Sequence, residues 1–120
     1  PGVFAFVALV RGARPPGGVS PLLVFQEQEG TTLVLDEAEA ARARFSILFR
    51  ARLITLEVQS SLEAVGFLAA LLPPLAAAGI SVNSVSAAFH DHLFVPVDRA
   101  DDALRILEAL ARAQAAQTPR

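Results

Sequence analysis

Apolar and polar residues are spaced most regularly in the second half of the chain. In "RLITLEV" Ile54, Leu56 and Val58 alternate with Thr55 and Glu57, the period of a strand with one buried face. "QSSLEAVG" follows, and Ser60 and Glu63 have the spacing of a capping box, which marks a helix start. Val65, Leu68, Ala69, Leu72, Leu75 and Ala76 then recur at three and four residues until Gly79 supplies a left-handed end. Pro73 lies inside that pattern, so the helix is predicted to kink or restart near Leu72. "ISVNSVSAAF" and "HLFVPV" read as two strands joined by a hairpin turn at His90, Asp91 and His92. Asp98 is placed to cap a last helix with Ala103, Leu104, Leu107, Leu110 and Ala111 on one stripe, fraying after Ala113. The predicted order is strand, helix, strand, strand, helix.

The first half reads as a reduced copy of the same order. "VFAFVALV" is a strand, "RGARPPGGVSP" puts a proline and glycine loop where a helix is expected, and "LLVFQEQEGTTLVLD" is a hairpin turning near Glu29 and Gly30. A short helix over "EAEAARA" and a strand over "FSILF" complete it. Phe45, Ile47 and Phe49 set their apolar face on odd positions, whereas Ile54, Leu56 and Val58 use even ones. Side chains alternate strictly along a strand, so a bulge or a passage between sheets is expected near Arg50 and Ala51. The boundary between an N-terminal subdomain, 1–50, and a C-terminal one, 51–113, is placed there, with 114–120 as a frayed tail.

Composition narrows the function classes. With 53% hydrophobic against 18% charged residues, 120 residues can bury enough apolar surface to fold without cross-links. The chain has no cysteine, which removes disulfides, thiolate metal sites and cysteine nucleophiles. A formal net charge of −2 argues against general binding to nucleic acid or anionic membrane. Arg42, Arg44, Arg50 and Arg52 cluster, and read as a solvated face. No charge occurs between Glu63 and His90, but Pro73, Pro74 and Gly79 interrupt this run, and Ser81, Asn83, Ser84 and Ser86 follow it, so no membrane span is expected. "VFAFVALV" has no preceding positive residue and reads as a strand rather than a signal peptide.

Few residues carry candidate chemistry. His90, Asp91 and His92 are two metal-ligand types side by side, but a zinc site takes three or four protein ligands, and the chain has no other histidine. A second subunit or a carboxylate would have to complete it, so the hairpin turn is the preferred reading and neither a metal nor another cofactor is expected. Asp91 suits a tight turn because its side chain bonds nearby backbone. Glu27 and Glu29 read as a solvated hairpin edge, and no nucleophile, base and oxyanion set converges in the sequence, so the chain is not expected to be an enzyme.

The stretch "LITLEVQSSLEAVGFLAALLPPLAAAGISVNSVSAAFHDHLFVPV" resembles the ACT domain, the α+β ferredoxin-like βαββαβ module that senses amino acids in metabolic regulators. "SSLEAVG", "AGISVN", "HDHLFVPV" and the upstream "EGTTLVL" resemble, more narrowly, small bacterial proteins built of tandem ACT units, over roughly residues 3–110. The resemblance implies two ACT-like subdomains, the first reduced, in a cytoplasmic, allosteric, homodimeric regulator. In aspartokinases and the cytosolic arginine sensors of animals, an amino acid lies at the contact between two ACT units. Carried over, the ligand loop is Ser60, Ser61, Leu62, Ala64, Val65 and Gly66, and the second-strand position is Asn83; aspartokinases have their asparagine where this chain has Ser81. A helix N-terminus offers free amides and a positive dipole end to a carboxylate, and a glycine admits close approach. Gly66 has an equally good structural explanation, the passage of a neighbouring strand, and Asn83 has one in a buried backbone partner. The implied function is non-catalytic binding of a small molecule, an amino acid, by a homo-oligomer. The alternative is a ligand-free ACT-like dimerisation protein.

Overall fold

The computed structural model describes residues 2–57 and 66–117, with side chains to residue 113. The chain divides into two compact units, Pro1–Arg52 and Leu53–Arg120.

The first unit is built on strand β1 (Val3–Val10), whose Ala5 and Val7 point into a core with Leu33 and Leu35 of β3 (Gly30–Asp36). Strand β2 (Leu23–Gln26) forms the expected hairpin with β3 through the turn Glu27–Gly30, and β4 (Phe49–Thr55) pairs antiparallel with β1. The unit's strand order is β2-β3-β1-β4, that of a ferredoxin-like sheet. Between β1 and β2, residues 11–22 form no helix, as expected. Val19 packs against the core from this loop, and the Ser20 amide donates to Glu39 Oε1 at 2.9 Å.

Helix α1 (Glu37–Arg42) starts where Asp36 Oδ1 accepts from the Ala38 amide at 2.8 Å, and Glu37 and Glu39 place negative charge at the positive dipole end. It ends in a Schellman motif: the Arg44 amide bonds the Ala41 carbonyl and the Phe45 amide bonds that of Ala40, both at 3.0 Å. Ala40 is buried, and Phe45 packs into the same core. The expected strand over residues 45–49 is therefore corrected. Phe45 is apolar because it closes a helix cap, Ile47 lies in the connection, and β4 begins only at Phe49. The expected bulge near Arg50 loses its premise, and β4 runs through Arg50 and Ala51 unbroken. Arg44 occupies the left-handed cap position with φ 58°, a conformation that costs an L residue about 1–2 kcal/mol. Arg44→Gly is expected to raise stability by about 1 kcal/mol in urea unfolding, and an unchanged or lower midpoint would contradict the cap assignment.

The second unit begins within β4 and adds α2 (Phe67–Ala77), β5 (Asn83–Ser86), β6 (Asp91–Pro96), a 3-10 turn (Val97–Arg99) and α3 (Ala100–Gln117). Its strand order is β4-β6-β5. Ile54, Leu75, Ile80, Leu93, Val95, Ala100, Ala103 and Leu107 form its core. Helix α2 ends as α1 does: Gly79 (φ 76°) donates to Ala76, and the Ile80 amide donates to Leu75, whose side chain shares the core with that of Ile80. Arg99 Nη2 adds a hydrogen bond to the Ala78 carbonyl at 3.0 Å, while its Nε holds Asp102 on α3.

Three details differ from the pattern. Helix α2 passes through Pro73 and Pro74 without a break at Leu72; the carbonyls that lose donors belong to Ala69 and Ala70, which are exposed, so water can satisfy them. Asp98 lies inside a 3-10 turn that follows Pro96 and leads directly into α3, rather than at the N-cap position expected of it. The buried face of α3 is then centred on Ala100, Ala103, Ile106 and Leu107, which leaves Leu104 at its margin, 41% exposed, and Ala111 outside it. α3 also continues to Gln117, past Ala113, after which fraying is expected from the sequence.

Candidate functional site

The site expected from the sequence centres on the connection from β4 to α2. Ser60, Ser61, Leu62, Ala64 and Val65, and with them the Ser60 and Glu63 capping box, lie outside the described residues. Gly66 is described, and it corrects the helix start. With φ 90° and ψ −7° it is the left-handed N-cap from which α2 begins at Phe67. A Cβ on Gly66 would meet no described atom within 4 Å, so a neighbouring strand does not explain the glycine; its conformation does. The Ala70 amide bonds the Gly66 carbonyl at 3.1 Å, and the amides of Phe67, Leu68 and Ala69 precede the first intrahelical bond. Among the described residues no side chain caps this end, and the first turn carries no acidic residue.

Asn83 opens β5 and is exposed, paired across the ladder with Phe94, so a buried partner does not account for it. The end of α2 leads into Asn83 through residues 78–82, and Gly66 caps the other, N-terminal end of that helix.

The hairpin histidines are arranged differently from the expectation. The turn is formed by Ala87–His90, closed by the Ala87 amide on the His90 carbonyl at 3.0 Å, and Asp91 and His92 belong to β6. Asp91 is only 5% exposed, and the Ser86 hydroxyl opposite it donates to Oδ1 at 2.5 Å. The Asp91 carbonyl accepts from the Leu56 amide at 2.9 Å, which brings the end of β4 against β6. His92 Nδ1 is 3.0 Å from Thr55 Oγ1, and the two imidazoles meet edge to face at 6.3 Å. The Nδ1 of His90 is buried and has no hydrogen-bond partner among the described residues. Among the described residues no three His, Asp or Glu side chains are grouped to hold a metal ion.

Elsewhere, Glu27 Oε1 accepts from Thr32 Oγ1 at 2.6 Å on the exposed hairpin. Within the arginine cluster, Arg50 pairs with Glu37 through two nitrogens. Arg50's hydrogen bond is the chief cause that holds the Glu37 carboxyl below its ordinary pKa, with coulombic attraction adding to it and desolvation opposing it. Among the described residues no helix is long and apolar enough to cross a membrane.

Two family models match the chain in tandem, both described as ACT domain: one over residues 1–52 and the other over residues 48–109. Among solved structures, a Vibrio cholerae protein of unknown function, described as a possible transport protein, is 37% identical, with a TM-score of 0.82 over 92% of this chain and 85% of that one. A protein from Agrobacterium tumefaciens shares the fold at 16% identity, with a TM-score of 0.72 over 90% of this chain and 82% of that one. Comparison with curated proteins gives no match.

Proposed function

The chain belongs to the ACT-domain family, and from that premise we propose that it is a regulatory module that binds an amino acid and performs no chemistry on it. ACT domains are typically regulatory, non-catalytic modules that bind small molecules and oligomerise. The observation that supports an amino-acid site here is the N-terminus of α2, where a Cβ on Gly66 would meet no described atom, the amides of Phe67, Leu68 and Ala69 precede the first intrahelical bond, and among the described residues no side chain caps the positive end. In this reading Ser60, Ser61, Leu62, Ala64, Val65 and Gly66 surround the ligand's carboxylate. Asn83, on the strand that follows α2, supplies a polar side chain to the same ligand. Subdomains 1–50 and 51–113 each supply one ACT-like part of a cytoplasmic homo-oligomer.

A melting survey with L- and D-amino acids tests this. At a hundredfold excess over its dissociation constant a ligand adds about 2.7 kcal/mol per site, a rise on the order of 5–15 °C for a chain of this size. At least one L-amino acid is expected to give that rise and its D-form none. Gly66→Asn keeps the left-handed backbone, which asparagine tolerates, and places a side chain over the amides. It should remove the ligand response while the unliganded melting point holds.

A second reading, dimerisation without a ligand, draws on strand β2, where Val24 is 47% and Phe25 62% exposed at the sheet edge of the first unit. A stable dimer indifferent to every amino acid would establish that reading and overturn the first.

A further inference from the structure

We propose that the first unit carries a separate binding site for a small organic anion, between the turn after β1 and the tip of the β2–β3 hairpin. The cavity there has a volume of about 320 Å³ and is lined by Arg11, Gly12, Ala13 and Arg14 on one side and Gln26, Glu27, Gly30 and Thr31 on the other. That is the size range of small-molecule sites.

Both walls are hydrogen-bonded turns. The Ala13 amide donates to the Val10 carbonyl at 3.0 Å, and Gly12 sits between them with φ 84°, the third position of a type II turn. On the other side Glu27 and Gly30 exchange two backbone hydrogen bonds, at 2.7 and 3.3 Å. Val10 and Gly30 are also the last partners of the β1–β3 ladder, so the two turns are held side by side by the sheet itself.

The lining decides the ligand's charge. Arg11 and Arg14 form no ion pair among the described residues, in a chain whose net charge is −2. Two guanidiniums on one cavity repel each other, and an anion relieves that repulsion while accepting their paired N–H groups. Gln26 and Thr31 add further donors. Glu27 is the one acidic lining residue, and its Oε1 accepts from Thr32, which does not line the cavity. The geometry therefore suits a carboxylate or phosphate ester of a few heavy atoms. It shares no residue with the Gly66 loop and stands whether or not that loop binds an amino acid.

Calorimetric titration of the whole chain at low salt, with sodium phosphate and with succinate as probes and neutral succinamide as control, tests the site. One of the two anions is expected to bind once per chain and succinamide not at all; the anion that binds identifies a phosphorylated or a carboxylate ligand. Arg11→Gln and Arg14→Gln should each weaken binding at least tenfold with an unchanged melting point, since both side chains are exposed, and Gly66→Asn should leave the affinity as it was. Absence of saturable binding by both anions at millimolar concentration overturns the proposal, as does binding that survives the Arg11→Gln/Arg14→Gln double variant.

Discussion

Gly30→Ala is expected to destabilise the first unit by about 2–3 kcal/mol, although it adds a single methyl group. A Cβ at this position would stand 2.2 Å from the Leu9 carbonyl oxygen and 3.3 Å from its carbon, both backbone atoms that cannot rotate away. The last rung of the β1–β3 ladder would have to open, and the Glu27–Gly30 turn would move with it. Here the glycine is required by a close approach rather than by a positive φ. Hydrogen exchange should locate the damage. Amides of β1 and β3 near residues 9–10 and 30–32 should lose protection, and those of the Leu93 and Val95 strand should keep it. Full protection at the β1–β3 end would refute the clash.

Leu75→Ala is expected to cost the second unit about 3 kcal/mol, within the 2–5 kcal/mol range for truncating a buried leucine. Leu75 has no exposed surface and lies at the centre of a core that includes Ile54, Ile80, Leu93 and Val95. Its carbonyl also accepts the Ile80 amide that closes α2, so the side chain that fills the core and the backbone that ends the helix are one residue. The prolines at 73 and 74 lie next to it in the helix and restrict how far the backbone can settle into the cavity. The loss should appear in urea unfolding as a lower midpoint with an unchanged slope. A cost under 1 kcal/mol would mean that the core closes over the gap.

Much of this fold was legible in periodicity. The strands from Val3 and from Leu23, the hairpin tip at Gly30, the helix over residues 37–42 and the end of α2 at Gly79 lie where the alternation and the glycines put them. The misreadings share a physical origin, since an apolar residue records burial and not the element that buries it. Phe45 is buried by a helix cap, although alternation alone makes it one rung of a strand. Asp91 looked like a turn residue because aspartate favours turns; on β6 it is held by Ser86, a partner whose register cannot be read from local composition. The phase of α3 was set by a 3-10 turn that periodicity does not show, which is why Leu104 faces outward. For the site, resemblance named Gly66, but the need for glycine there comes from a dihedral angle. The cavity at Arg11 and Arg14 is hidden from local sequence for another reason. "RGAR" looks like the start of a loop, and only the ladder pairing Val10 with Gly30 brings the hairpin tip against it.

Strand β4 carries a consequence for how such a chain can be divided. Residues 49–52 pair with β1 in the first unit, residues 53–55 open the second, and the two ACT-domain matches overlap at residues 48–52, within the approach to this strand and its first half. Each repeat lays claim to the same short segment. No single cut between them leaves both halves whole, because either side of the cut ends in a truncated strand with exposed backbone donors and acceptors. Recombination that shuffled one repeat of this chain into another protein would have to copy the segment, giving each descendant its own version.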